Sequence, residues 1–227
     1  MRPKIAVSIP ARTVSEASRM VRKARRLGAD LAEIRLDYLN GDEPIEKLAR
    51  IETSPLIATF LSSRNLGARR TKEAERVEAL IAAAEAGFGY VDVEVETRNL
   101  RSVIDRLRKA GAKTIVSRHD FTGTPSDDEL RKALQLCRGS GASLSKLVTT
   151  VRSLEDNLRL LALTREASRK SGLVCFGMGA LGVSSRLLSP IYGAVFTFAS
   201  LDESTTVAPG QIPVSRMRRI YAEMGYR

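Results

Sequence analysis

The sequence KTIVSRHDFTGTPSDDELRKALQLCRGSGASLSKLVTT, residues 113–150, contains two short β-rich runs separated by one helical pattern. The runs lie at 113–119 and 144–150. A strand, a helix and a second strand in this order form a βαβ unit, in which the two strands are parallel. The same alternation continues in both directions along the chain, so this unit predicts the architecture of the whole.

Short apolar runs recur at intervals that leave room for one helix each. We predict strands at 4–9, 31–37, 56–61, 90–96, 113–119, 144–150, 173–178 and 194–199. The segments between them space their apolar residues as helices do, for example at Val77, Leu80, Ile81 and Ala84. A doubly wound sheet remains possible, but no GxGxxG follows the first strand, and eight consecutive units favour closure. The pattern therefore predicts an α/β fold, a (β/α)8 TIM barrel that residues 1–227 form as a single domain.

Glycines follow several of the predicted helices and stand just before the next strand. We expect them to adopt the left-handed conformation that ends a helix. They are Gly28, Gly87, Gly111 and Gly172. These positions indicate the face of the barrel opposite to the C-terminal ends of the strands.

The chain is basic, with 37 lysines and arginines against 26 aspartates and glutamates and a formal net charge of +11. Positive charge attracts polyanions, but the basic residues are interleaved with acidic ones in helical segments and form no basic tail. We expect a solvated, arginine-rich surface and no nucleic-acid partner. Binding to a polyanion is the alternative.

Cysteine and histidine are scarce, because Cys137, Cys175 and His119 are the only residues of these types. They cannot build a disulfide framework or a conventional zinc site. The apolar run at residues 5–9 is too short for a signal peptide or a membrane span. We therefore expect a cytoplasmic protein that has no structural metal.

Charged residues alternate with apolar ones on the second and fourth predicted strands. They are Glu33, Arg35 and Asp37 on the second strand and Asp92, Glu94 and Glu96 on the fourth. Alternation places each set on one face of its strand. Barrel enzymes carry their catalytic groups at the C-terminal ends of strands, which makes these residues candidates for a site. The alternative is a structural salt-bridge network, because buried charges persist only when they are paired.

The fifth and sixth strands each carry one unusual residue. His119 ends the fifth strand, and its imidazole is the side chain suited to moving protons near neutral pH. Lys146 lies within an apolar, β-branched run on the sixth strand. A lysine there must pair with Glu94 or Asp92, or lose its charge and become an amine able to attack a ketone. The pattern alone leaves both possibilities open.

Taken together, the chain resembles the type I 3-dehydroquinate dehydratase family over nearly its whole length. Six motifs carry the resemblance by their order, residue types and intervals. They are Glu33-Ile34-Arg35-Leu36-Asp37, Asp92-Val93-Glu94, Ser117-Arg118-His119-Asp120-Phe121, Lys146-Leu147-Val148, Gly179-Ala180-Leu181-Gly182-Val183-Ser184-Ser185-Arg186 and Ala208-Pro209-Gly210-Gln211.

The resemblance implies a lyase that dehydrates 3-dehydroquinate to 3-dehydroshikimate, the third step of the shikimate pathway, without metal or cofactor. It implies that Lys146 forms an imine with the C3 ketone, which draws electrons from the neighbouring carbon. It also implies that His119 removes the C2 proton and later protonates the departing C1 hydroxyl. Glu94 is expected to orient the imidazole, as the carboxylate of a triad does.

The resemblance assigns the substrate's carboxylate and ring hydroxyls to Arg186, Gln211, Glu33 and Arg35. Ser8, Met178 and Phe121 are expected to line the pocket, with core or loop packing as the alternative for these three.

Two positions depart from the family pattern, because Leu61 stands where an arginine is usual and Val207 where a serine is usual. Arg64 could replace the first contact, and Thr205 or Thr206 the second.

Two other functions remain as alternatives at this point. A class I aldolase or transaldolase would also hold an imine-forming lysine near the end of the sixth strand, but its substrates are usually phosphorylated. A basic nucleic-acid-binding protein built on a barrel without chemistry would show binding that is lost steeply with salt. Many relatives in the resembled family are homodimers, so a homodimer is one possible assembly, but the sequence does not determine the oligomeric state.

Overall fold

The computed structural model describes residues 2–40, 44–51 and 55–226, and within them eight strands alternate with eight α-helices. The strands are β1 Ile5–Ile9, β2 Leu31–Arg35, β3 Leu56–Thr59, β4 Tyr90–Glu94, β5 Lys113–Asp120, β6 Leu144–Thr150, β7 Leu173–Met178 and β8 Thr197–Ala199. The helices are α1 Val14–Arg26, α2 Glu46–Ile51, α3 Glu73–Glu85, α4 Leu100–Lys109, α5 Asp127–Gly139, α6 Leu154–Ala167, α7 Val183–Leu188 and α8 Val214–Glu223.

The eight strands form one parallel sheet in the order β7-β6-β5-β4-β3-β2-β1-β8. The two ends of the sheet approach each other, because the amide of Val195 donates to the carbonyl of Leu173 over 2.9 Å. The regular part of β8 begins only at Thr197, although a longer strand from residue 194 was expected. The predicted (β/α)8 barrel is thereby confirmed as a nearly closed barrel.

Apolar side chains fill two layers, one inside the barrel and one between the strands and the helices. The inner layer includes Ile57, Ile115, Val174, Phe196 and Phe198. Alternation sends neighbouring residues of the same strands outward against the helices. Burial of one such side chain stabilises the fold by roughly 1.5–3 kcal/mol, so the two layers together provide the main driving force for the barrel.

Three of the four predicted helix-ending glycines adopt the left-handed conformation, with φ of 97° at Gly28, 100° at Gly87 and 89° at Gly111. The prediction for Gly172 is wrong, since α6 already ends at Ala167. Gly172 instead lies close to the start of β6. A Cβ atom there would lie 2.3 Å from Cδ2 of Leu144, so a larger residue would require the Leu144 side chain to shift.

Strands β2 and β4 each end two residues earlier than the alternation predicted. After β2 the amide of Tyr38 bonds to the carbonyl of Arg35, and after β4 the amide of Thr97 bonds to that of Glu94. Each bond turns the chain at the mouth of the barrel. As a result Glu96 is exposed and does not share the inner face with Asp92 and Glu94 as predicted.

Among the helices that the structure describes, none is long and apolar enough to cross a lipid bilayer.

Candidate active site

A pocket opens at the C-terminal ends of the strands, where the polar residues of the sequence motifs converge. Its volume is about 60 Å³. Most of the residues expected at a site line it, namely Ser8, Glu33, Arg35, His119, Phe121, Lys146, Met178, Arg186 and Gln211. Leu61, Asn65, Leu66, Val148, Phe176, Phe198, Val207 and Ala208 complete the wall. The fold thus collects side chains from most strands at one cavity, as barrel enzymes do.

Lys146 projects from β6 into the barrel and is 5% exposed. Its Nζ donates to Oδ2 of Asp92 over 2.8 Å and lies 3.9 Å from Oε1 of Glu33. The same nitrogen lies 4.5 Å from the centroid of the Phe198 ring. The sequence allowed a partner in Glu94 or Asp92, and the structure selects Asp92. Two carboxylates and an aromatic face therefore fix the amino group at the floor of the pocket.

Glu33 connects the floor of the pocket with its upper wall. Its carboxylate accepts hydrogen bonds from the hydroxyl groups of Ser8, over 2.7 Å, and Thr59, over 2.9 Å. Ser8 in turn accepts from the amide of Gln211 over 3.1 Å. Gln211 then accepts from the backbone amide of Val207 over 3.0 Å, so this chain of bonds holds the β8–α8 loop over the cavity.

Arg35, the last residue of β2, forms an ion pair with Asp37, two residues later in the chain. Its Nε and Nη2 atoms donate to the two oxygens of Asp37 over 2.9 and 2.6 Å. Both side chains are buried, at 4% and 2% exposed. A bidentate pair fixes the guanidinium plane, so Arg35 presents a preset donor surface to the pocket.

His119 lies on β5, next to the strand that carries Lys146. Its ring stacks on Phe121 with the centroids 6.0 Å apart and the planes 11° apart. Burial lowers the pKa of the imidazole from 6.5 to about 3, and the nearby cation of Lys146 acts in the same direction. The imidazole is therefore neutral at physiological pH, which is the form that can accept a proton.

The low pKa of His119 predicts a specific loss of stability in acid. Below about pH 6.5 the unfolded chain binds a proton at this residue while the folded chain does not. The free energy of unfolding should therefore fall with decreasing pH, by up to about 1.4 kcal/mol per pH unit from this residue alone. Denaturant titrations between about pH 6 and pH 4 should show a smaller pH dependence for His119→Asn than for the unmodified chain. Equal slopes would contradict the prediction.

Arg186, on α7, is 1% exposed and has no carboxylate partner among the described residues. One nitrogen donates to the carbonyl of Pro209 over 3.3 Å, and the guanidinium carbon lies 4.3 Å from the centroid of Phe176. Its Nε atom is buried without a hydrogen-bond partner in the described part of the chain. Burial lowers the pKa of Arg186 to about 9, so it stays cationic near neutral pH. A buried cation that faces a pocket without a counter-ion is a site for an anion.

The predicted contact between Glu94 and His119 is not formed. Both oxygens of Glu94 accept hydrogen bonds from other groups, namely Ser62, Asn65 and Arg76. Nδ1 of His119 has no hydrogen-bond partner in the described residues. The register of the two strands pairs Glu94 with Ser117, so His119 lies two residues further along β5.

Two of the predicted substrate contacts lie outside the pocket wall. Arg64 is exposed in a 3₁₀ turn at Ser63–Asn65. Thr206 is also exposed, and its hydroxyl donates to the carbonyl of Glu203 over 3.3 Å. The positions that depart from the family pattern, Leu61 and Val207, do line the cavity. Apolar side chains therefore occupy these two parts of the wall.

Two polar residues were less well predicted, because the sequence named Asp92 only as one of two possible partners of Lys146 and did not predict Asn65 in the wall. Asp92 carried a signal, because alternation already placed it on the inner face with Glu94. Asn65 carried none, since a loop residue follows no hydrophobic period.

Comparison with known proteins agrees with this architecture. The family model described as type I 3-dehydroquinase matches residues 5–227. The 3-dehydroquinate dehydratase of Dehalococcoides mccartyi is 39% identical over 199 residues, which cover 88% of each chain. That of Thermococcus gammatolerans is 38% identical over 218 residues and covers 95% of this chain and 96% of the relative.

Solved structures show the same likeness. The crystal structure of 3-dehydroquinate dehydratase from Geobacillus kaustophilus superposes with a TM-score of 0.89 and 27% sequence identity. The superposition covers 99% of this chain and 92% of that one. Because the family match extends over all eight strands and every wall of the pocket, this chain belongs to the type I 3-dehydroquinase family.

Proposed function

We propose that this chain is the lyase that dehydrates 3-dehydroquinate to 3-dehydroshikimate, and that it does so through an imine on Lys146. The substrate follows from the names of the relatives. The observation that carries the chemistry is Lys146, a buried lysine at the floor of a pocket with a neutral histidine on the next strand. This reaction is the third step of the shikimate pathway.

In the first step Nζ of Lys146 replaces the ketone oxygen at C3 of the substrate. The ammonium and the ketone together yield a protonated imine and one water, so the nitrogen is cationic before and after the step. Asp92, 2.8 Å from Nζ, serves as the counter-ion of both forms. The protonated imine then draws electrons from C2.

In the second step neutral His119 takes the proton from C2, and the electron pair moves to the imine nitrogen. The enamine then expels the C1 hydroxyl, which leaves as water with the proton that His119 returns. Hydrolysis of the imine releases 3-dehydroshikimate and restores Lys146. The imidazole is unprotonated near neutral pH, so a ring nitrogen is available to accept the proton from C2.

Arg186 holds the substrate carboxylate in this proposal. Its buried guanidinium has no carboxylate partner in the described part of the chain, so an anionic group would supply the missing charge and hydrogen bonds. Glu33, Arg35 and Gln211 surround the remaining space and offer partners for ring hydroxyls.

Arg186→Lys should raise KM about tenfold to hundredfold, because lysine keeps the charge but loses the planar fork worth about 1.5–3 kcal/mol. The fall in kcat should be smaller, since Arg186 does not touch the reacting carbons. Steady-state kinetics measure both constants. Arg131→Lys, on the exposed face of α5, is the matched control. Equal KM values for the two variants would contradict the role of Arg186.

The direct test of the function is an ultraviolet assay, because the conjugated enone product absorbs and the substrate does not. Turnover of 3-dehydroquinate by the purified chain is the expected result. Chelator treatment should leave the rate unchanged, since no step of the proposal uses a metal. Absence of 3-dehydroquinate turnover at every pH tested would refute the proposal.

The cytoplasmic location and the homodimer are not tested by the structure and stay predictions.

A further inference from the structure

The β3–α3 loop, residues 61–68, forms one wall of the pocket through Leu61, Asn65 and Leu66. The loop is compact, because the amides of Asn65 and Gly67 both donate to the carbonyl of Ser62, over 2.9 and 2.8 Å. Leu66 has a left-handed φ of 61°, which is uncommon for a residue with a side chain. A loop that holds such a conformation needs anchors from the surrounding structure.

Glu94 provides the first anchor, at the end of β4. One of its oxygens accepts three hydrogen bonds, from the amide of Ser62 over 2.8 Å, the hydroxyl of Ser62 over 2.9 Å and Nδ2 of Asn65 over 2.7 Å. The other oxygen accepts from Arg76 of α3 over 3.1 Å. Glu94 is only 7% exposed, so these charge-assisted bonds are well shielded from water.

Asp37 provides the second anchor at the other end of the loop. Its carboxylate accepts from the backbone amide of Ala68 over 2.8 Å while it also pairs with Arg35. Arg35 reaches the carbonyl of Leu66 over 3.4 Å. The loop is therefore held at both ends by carboxylates from the barrel.

The bond to Glu94 decides which end of the Asn65 amide remains free. A carboxylate only accepts hydrogen bonds, so the amide nitrogen must face Glu94 and the carbonyl oxygen is left without that partner. We propose that Glu94 is a positioning residue that holds Asn65 so that its Oδ1 accepts a hydrogen bond from a hydroxyl group of the substrate. This inference rests on the proposed function, and it places Glu94 on substrate binding instead of on His119.

The first experiment separates binding from proton transfer. Asn65→Ala and Glu94→Ala should each raise KM about tenfold, the scale of one lost hydrogen bond to an oriented partner. Glu94→Gln should give an intermediate KM, because its amide oxygen can still accept from Ser62 and Asn65. The pH dependence of kcat should stay unchanged, since Glu94 does not contact His119. Glu96→Gln, two residues further and exposed, is the matched control.

The double variant Glu94→Ala/Asn65→Ala provides the decisive comparison. If both residues act through one amide, its KM should equal that of Asn65→Ala alone. Additive increases in KM would overturn the proposal. A loss of kcat with a shifted pH profile and unchanged KM would also overturn it, because Glu94 would then act on His119.

A second measurement needs no substrate and detects a folding defect. Hydrogen–deuterium exchange should rise in residues 61–68 of Glu94→Ala, while the amides of β4 and β5 stay protected. Unchanged exchange in the loop would refute the anchor. Loss of protection throughout the barrel would identify Glu94→Ala as misfolded. In that case the KM measurement and the exchange measurement are both made on Glu94→Gln. If the unmodified chain turns over no 3-dehydroquinate, the proposed function fails, and increased loop exchange still establishes the anchor separately.

Discussion

Lys146→Arg should abolish dehydration of 3-dehydroquinate, with kcat lower by on the order of 10⁴-fold or more, because the covalent step then has no nucleophile. Arginine keeps a cation beside Asp92, so the variant avoids an unpaired carboxylate in the barrel. The same position allows a direct chemical test. Borohydride added together with substrate should reduce the imine, inactivate the unmodified enzyme and leave one covalent adduct on Lys146.

Peptide mass spectrometry locates the adduct and decides the mechanism. Lys132→Arg, on the exposed side of α5, is the matched control and should keep full activity and full labelling at Lys146. A label on another lysine, or an active enzyme without a label, would show that the imine does not form at Lys146. The outcome separates this enzyme chemistry from a barrel that only binds its ligand.

His119→Ala should lower kcat by roughly 10²–10⁴-fold for each proton transfer that the imidazole performs. Formation of the imine should suffer less, because Nζ of Lys146 and its contact with Asp92 are unaffected. Borohydride should therefore still label Lys146 in a variant that barely turns over. This combination distinguishes a lost proton carrier from a damaged pocket.

Both quantities can be measured on His119→Ala. Mass spectrometry of quenched samples gives the fraction of Lys146 that borohydride labels, and a steady-state assay gives kcat. Glu94→Gln should lower kcat much less than His119→Ala does, because the Glu94 carboxylate bonds to Ser62 and Asn65 of the β3–α3 loop and not to His119. If His119→Ala retained activity within about tenfold of the unmodified chain, another group would carry the proton.

Strand alternation was sufficient to predict the barrel and much of its site. Strands β6 and β7 begin and end where the apolar runs predicted, because each run is bounded by turn residues. Lys146 stood out as a charged residue within an apolar run and His119 as the only histidine, at the end of a strand, whereas Arg186 was assigned through the family resemblance. All three line one pocket.

Sequence patterns failed where distance in space decided the outcome. Glu94 and Asp92 alternate on one face, so the sequence could not tell which of them reaches Lys146. Strand tilt brings Asp92 to the amino group and leaves Glu94 at the loop. Arg64 lies three residues from Leu61 in the chain, yet it is exposed in the 3₁₀ turn and does not line the pocket as Leu61 does.

The sequence by itself determined the parallel eight-stranded barrel, the end at which the site forms and the residues able to do imine and proton chemistry. Hydrophobic period and residue type are local properties of the chain, so these features can be read without coordinates. The tertiary structure alone decided the partners of each charge, the pKa of His119 and the composition of the pocket wall. Those depend on burial and on distances between residues far apart in sequence, because electrostatic interactions follow separation in space.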